Sequence, residues 1–342
     1  MKRHIINIGM SLLLLGTVPL RAQGHHLAFQ RVTFQLDNDT FFETDRQYTN
    51  GLRLIWSSGR LDRFSDHPLV PQFLDRAACA VIPQNESMVP KRWVSTFVGQ
   101  NIYTPDNLRE EALIKDDRPY AGLLYMGLGF YQEQGATHYG CRVMLGWVGP
   151  HSLGEAAMEG MHSRYDWPYP HGWVNQLKDE PIVDLGLQWK YKYQWPDVEA
   201  GWGTAWMPFA GVSLGNGYSG LSGGLEFMWG SPNTGDFGLA NALPYGGATP
   251  PSIQFSSRKN WGIALFGAVT GNWVWRNILL DGNTWVSSHH VEKEPLTAKM
   301  MSGLAIKMRD LLITFSHVYQ TREFVKQRKI HSYGMLALTF NP

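Results

Sequence analysis

The 342-residue sequence is poor in several features that would define common protein classes. It has two cysteines, Cys79 and Cys141, which is too few for a disulfide framework. Its formal net charge is +1, so no basic face marks it as a nucleic-acid binder. Beyond residue 22 no apolar run approaches the roughly 18 residues that a spanning helix needs. Few segments carry the 3.6-residue periodicity of long amphipathic helices. No serine stands out as a convincing nucleophile, which makes an acyl-enzyme route less attractive.

Glycine and aromatic residues are abundant instead: 36 Gly, 14 Trp, 14 Tyr and 16 Phe. The first 22 residues have the layout of a secretory signal, with Lys2 and Arg3 ahead of an apolar stretch from Ile5 to Leu20 and Ala22 at its end. Pro19 interrupts that stretch, which is short for a membrane span. Residues 23–342 are then expected to form one domain.

Short segments of period 2 recur along that domain. In "VDLGLQWKYKYQW", Leu185, Leu187, Trp189, Tyr191 and Tyr193 share one face, and Asp184, Gly186, Gln188, Lys190 and Lys192 the other. An apolar face with aromatic ends opposite a polar or glycine face is the pattern of a transmembrane barrel. A soluble β-sandwich also alternates, but Lys190 and Lys192 in its core would be costly. Strands are expected at 27–39, 48–57, 93–103, 120–132, 138–149, 182–195, 203–215, 218–229, 260–280, 296–308, 311–321 and 332–341. These make a twelve-stranded antiparallel transmembrane β-barrel, with 260–280 as one long strand and an even count as bacterial barrels require. With both termini in the periplasm, the connections 39–48, 104–119, 150–181 and the tip Leu280–Trp285 face the cell exterior. The segments 58–92 and 230–259 become unusually long periplasmic connections.

Two exterior connections are chemically dense. "QLDNDTFFETDRQYTNGLRLIW" is a hairpin whose tip is far more polar than a turn requires. The connection 150–181 contains Ser152 with Glu155 three residues later, a capping box, and helix formers up to about His162, before Pro168 and Pro170 end the run. A short helix in an outer loop is therefore expected.

Taken in order, "NDTFFETDRQYTNGLRL", "QNIYTP", "DDRPYAGLLYMG", "GPHSLGEAAMEGMH", "GWVNQLKDEP" and "LDGNTW" resemble the outer-membrane lipid A 3'-O-deacylase family. The motifs run from residue 38 to residue 285. The resemblance implies a calcium-dependent hydrolase that removes the 3'-linked acyl chain of lipid A, the membrane anchor of lipopolysaccharide. It implies a site between the barrel wall and a loop helix, facing the outer leaflet of the outer membrane. Carried over by motif, the site comprises Asn38, Asp39, Thr49 and the histidine His162, with Asn38 and Asp39 also as Ca2+ ligands. A basic residue of the second outer loop belongs to it, either Arg109 or Lys115. The carboxylate that some members carry after the histidine has no match, since Pro168 stands there with Asp166 nearby.

The residue chemistry agrees with these roles. Histidine near its ordinary pKa can take a proton from water, and a hard cation held by carboxylate and amide oxygens can polarise an ester carbonyl. Other readings of the same residues are a non-catalytic porin or surface-binding barrel, and an outer-membrane phospholipase. A monomer is expected. His171, His289 and His290 read as solvated, Trp173 as an anchor for its loop, Asp281 and Asn283 as turn residues, and Asp117 with Arg118 as an ion pair at a strand entrance.

Overall fold

The computed structural model describes residues 29–39, 47–84, 87–165, 167, 169–197, 202–231 and 261–341. The signal segment 1–22, most of the connection 230–259, Asp166 and Pro168 lie outside the described residues.

The strands are β1 (Arg31–Asn38), β2 (Gln47–Ser57), β3 (Lys91–Thr104), β4 (Ala121–Gln134), β5 (Thr137–Val148), β6 (Glu180–Tyr191) and β7 (Tyr193–Asp197). They continue with β8 (Trp202–Gly215), β9 (Tyr218–Gly230), β10 (Trp261–Asn277), β11 (Leu296–Met308), β12 (Leu311–Gln320) and β13 (His331–Phe340). Each pairs antiparallel with its neighbours, and β1 pairs with β13, which closes the sheet. Both β6 and β7 pair with β8 in one unbroken register, Lys190 opposite Phe209 and Tyr193 opposite Trp206. They are one wall strand interrupted at Lys192, so the barrel has twelve strands, and 260–280 enters as the single strand β10. Pro208, which has no N–H to give a ladder, lies opposite Tyr191, next to that interruption.

Alternation decides the faces. Along β6, Glu180, Ile182, Asp184, Gln188 and Lys190 are buried, while Val183, Leu185 and Trp189 are exposed. Exposed aromatics and aliphatics line the outside of the wall elsewhere, including Met126, Leu145, Leu265, Val269 and Trp273. This is the outward apolar band of a membrane barrel.

The lumen is not the uniformly polar channel that the alternation suggests. Towards the end that holds the termini, Met207, Met228, Phe266, Leu312 and Met335 pack together. Towards the other end, Ile55, Phe97, Tyr125 and Met144 pack with Leu177, Ile278 and Leu279, which come from the connections. Polar groups between them are tied down. Arg53 donates to the Tyr125 hydroxyl at 2.9 Å and Tyr48 to Asp37 at 2.8 Å. Lys190 meets Glu226 at 3.3 Å with both side chains fully buried, so the lysine that would burden a sandwich core has a charge partner inside the barrel.

Three helices complete the fold: α1 (Gln72–Val81), α2 (Gly154–Tyr165) and the single turn α3 (Ile278–Asp281). Cys79 and Cys141 are free thiols in one apolar cluster.

Removing one partner of the buried pair strands the other charge. Lys190→Met is expected to destabilise the barrel by about 3–5 kcal/mol in urea unfolding, and Lys190→Met with Glu226→Gln to recover most of it.

Candidate active site

β1 ends at Asn38, an outward position by its alternation with Val32, Phe34 and Leu36. Asn38 stands opposite Asn50 on β2 and Gly334 on β13. Gly334 stands opposite His317 on β12. Asn50, Asn38, Gly334 and His317 thus form one row across the outer face of the wall, where apolar side chains prevail elsewhere. Asn38 is nonetheless only 8% exposed, and Asp39 beside it is fully buried. Asn38 therefore does not face open lipid, as its strand parity alone suggests.

A β-bulge sets the next residue. Tyr48 pairs with Tyr103, yet Asn50 pairs with Ile102, so Thr49 is an extra residue in β2. Tyr48 consequently turns inward onto Asp37, and Thr49 turns outward with Asn50. Its Oγ1 meets Thr104 Oγ1 at 2.8 Å. Without the bulge, alternation would aim Thr49 into the lumen with Gly51 and Arg53.

The cover comes from α2. Its buried residues Gly154, Met158 and His162 recur every four positions, which puts them on one helical face. Met158 packs with Ile102, Tyr120 and Trp173, and Asn50 Nδ2 donates to Met161 Sδ at 3.3 Å. The turn that carries His162 therefore lies over the Asn50–Asn38 end of the wall. His162 is 1% exposed, and its ring meets Trp167 edge-on at 5.5 Å. Trp173 anchors the loop as expected, buried against Tyr120.

Two glycines let the helix approach. A Cβ on Gly122 would lie 2.8 Å from Gly154 Cα, and one on Gly154 would lie 2.7 Å from Gly122 Cα. Gln100 Nε2 donates to the Ser152 carbonyl at 2.6 Å, fastening the helix start to β3. Ser152 does not form the expected capping box. Its hydroxyl donates to the Gly149 carbonyl at 2.5 Å within a 3-10 turn, Leu153 adopts a left-handed φ of 59°, and the helix begins at Gly154. Glu155 instead accepts from Gln176 at 3.2 Å. The helix runs to Tyr165, one turn beyond His162.

The second outer connection holds Arg109 and Lys115, both exposed and without a described contact to His162 or Asn38. Its buried cation is Arg118, which lies over the Tyr103 ring at 5.0 Å and donates to Glu323 at 3.2 Å. Asp117 accepts from the backbone of Asp106 and Arg118. His289 joins the loops through the Asp117 carbonyl at 2.7 Å. Asn283 serves as a clasp: it accepts from Lys178 N at 2.9 Å and donates to Glu180 at 3.2 Å. Asp281 pairs with Lys293 at 2.8 Å. The motifs "GWVNQLKDEP" and "LDGNTW" therefore meet to hold the loop that carries α2. The strings Gly211–Gly215 and Gly220–Gly224 read G-x-S-x-G, but they lie within β8 and β9 rather than at a strand-to-helix elbow.

A family described as "Outer membrane protein LpxR" matches residues 8–341. The chain belongs to the LpxR family. Its structure is similar to that of LpxR from Salmonella typhimurium, with a TM-score of 0.72 and 17% identity over 91% of this chain and 99% of that one. The β domain of the Bordetella autotransporter BrkA has a TM-score of 0.43 at 9% identity, covering 92% of this chain and 99% of that one. No curated protein matches the sequence significantly. The LpxR assignment makes the chain an outer-membrane β-barrel, and the apolar outer face described above is its lipid-facing surface.

The donor chemistry at the covered end of β1 suits a hard cation. Asp39 offers a buried carboxylate, Asn38 an amide oxygen and Thr49 a hydroxyl, which are oxygen donors of the kind calcium takes. Among the described residues no three His, Cys, Asp or Glu side chains gather as a metal group, so no zinc-type donor set is present among them. Asn50 and Thr104 lie within the quoted motifs but carried no expected role, and His317 lies outside them. Their place follows from strand register, which adjacent sequence does not reveal.

Gly122→Leu should lift α2 from the wall. The barrel should keep its β-sheet circular dichroism, while protease cleavage at 154–165 should increase. Burial alone would raise the carboxyl pKa of Glu323, but Arg118 and then Lys299 outweigh it and hold the pKa below the usual glutamate range. A depressed acid pKa contributes stability above its unfolded value, about 4.3, and loses it as pH falls through the folded value. Thermal unfolding of wild type should therefore weaken below about pH 4.3 more than that of Arg118→Met.

Proposed function

We infer that the protein hydrolyses the 3'-linked acyl ester of lipid A in the outer leaflet. The observation that carries this reading is the position of His162, which is buried on the wall-facing side of α2, on the lipid-facing side of the wall beside the Asn50–Asn38 row. A site on that side can be reached by a substrate that is itself a membrane lipid.

In this reading His162 takes a proton from a water molecule as the water attacks the ester carbonyl carbon. The bond between the carbonyl carbon and the sugar oxygen then breaks, and the proton passes from the imidazolium to the departing sugar oxygen. The products are a fatty acid, with its secondary acyl chain where present, and a sugar hydroxyl. Thr49, held by Thr104, presents a hydroxyl that orients the water. Asp39 and Asn38 would hold Ca2+, which when bound stabilises negative charge on the carbonyl oxygen. Arg109 and Lys115 stand exposed on the second outer loop, where they can meet substrate phosphate. Burial of His162 and Asp39 favours the chemistry, because charges act more strongly away from bulk water.

The filled lumen weighs against a porin, and the glycerophospholipase reading differs only in substrate. Mass spectrometry of lipid A incubated with the purified barrel tests all three. Wild type should release the 3' chain, chelation should stop it, and His162→Ala should lower the rate at least about 100-fold while leaving the barrel folded. Intact lipid A with wild type would defeat the proposal, and hydrolysis of glycerophospholipids alone would favour the phospholipase.

A further inference from the structure

The connection between β2 and β3 has no part in the proposed reaction, yet it is one of the longest in the chain. It lies at the barrel end that holds the termini, the periplasmic end, and contains α1. Its buried residues Phe64, Val70, Ala78 and Ile82 pack with Val94, Phe130 and Cys141 of the wall. Those three wall residues are outward ones. Val94 stands opposite Phe130, Phe130 opposite Cys141 and Cys141 opposite Leu187, which shares its face with the exposed Leu185 and Trp189. The segment therefore lies on the outside of the barrel, not under its lumen.

Hydrogen bonds strap it there. Arg92 donates to the Asp62 carbonyl at 2.5 Å and to Gln84 Oε1 at 2.6 Å. Gln132 donates to the Pro83 carbonyl at 3.0 Å and Gln134 to the Met88 carbonyl at 2.9 Å.

The wall beneath the strap is short of apolar surface. Outward positions on β4 run Leu124, Met126, Leu128 and Phe130, and then turn polar at Gln132 and Gln134. From Leu124 to Phe130 the strand covers about 20 Å. A lipid band about 25 Å tall, crossed at a tilt of about 40°, takes about 33 Å of strand. The strap supplies apolar surface where β4 runs out. It exposes Leu69 at 55%, Phe73 at 67% and Val81 at 46%, with Ala77 and Ala80 on the same side of α1. Leu74 and Ala78 form the opposite side and pack inward. Arg76 and Arg63 carry exposed side chains beside the apolar patch, Arg63 also lying 3.7 Å from the buried Asp75, and cations at such an edge complement phosphate.

We propose that the segment 69–81 is an interfacial anchor, with Leu69, Phe73 and Val81 among the acyl chains of the periplasmic leaflet and Arg63 and Arg76 at its phospholipid phosphates. The apolar belt of the barrel continues onto it without a break at Phe130 and Cys141.

The test uses the full chain in vesicles of phosphatidylethanolamine and phosphatidylglycerol, doped with a phospholipid that carries a photoreactive diazirine near its acyl carboxyl. After irradiation, peptides are mapped by mass spectrometry. Adducts on 69–81 should appear alongside those on the wall residues Met126 and Leu145. Leu69→Asp with Phe73→Asp should lose the adduct at Val81 as well, while the wall adducts and heat-resistant migration persist. A labelled wall with no adduct on 69–81 would overturn the proposal. So would an undiminished adduct at Val81 in the double variant.

Discussion

The structure depends on one constraint: a sheet immersed in lipid must leave no backbone N–H or C=O without a partner. Pairing of β1 with β13 meets it by closing the ladder. Closure gives the wall two faces, and the two-residue alternation of every strand sorts side chains between them. Once the outside is assigned to lipid, each polar outward residue becomes an exception that something must cover.

Two such exceptions are covered in similar ways at opposite ends of the barrel. At the outer end the Asn50–Asn38 row is overlaid by the turn of α2 that carries His162. At the inner end Arg92, Gln132 and Gln134 are strapped by the segment that carries α1. Both helices lie on the outside of the wall. The outer one carries a buried histidine over the end of the wall that holds a buried carboxylate and two asparagines, while the inner one presents a mainly apolar surface. The first cover carries the histidine of the proposed reaction, and the second carries the proposed interfacial anchor.

The close approach of α2 rests on small residues. Contact between Gly122 and Gly154 lets the helix lie directly on the wall, and Met158 fills the space beyond. Buried polar groups need such a seal, because bulk water around His162 would weaken its interactions with charge. The filled lumen serves the same end. Phe97, Tyr125 and Met144 support the wall from within, so the outer site sits on a packed platform instead of a flexible shell.

The sequence by itself determined the barrel. Alternation in twelve segments is a local property, so their lipid and lumen faces could be read without coordinates. The motif order also marked Asn38, Asp39 and Thr49 at the outer ends of the first two strands and His162 on an outer connection. Tertiary structure alone decided the rest. The bulge at Thr49 is a register shift against β3, visible only when both strands are aligned. His317 joins Asn38 through Gly334 because β13 returns beside β1, some 300 residues later in the chain. The capping box at Ser152 does not form because Leu153 turns left-handed and the helix starts only at Gly154, while the Gly149 carbonyl takes both the hydroxyl and the N–H of Ser152. The long connection 58–92 read as an ill-fitting loop, because the wall it covers lies on other strands. Period and composition are written along the chain, whereas register, cover and burial arise only between segments that closure brings together.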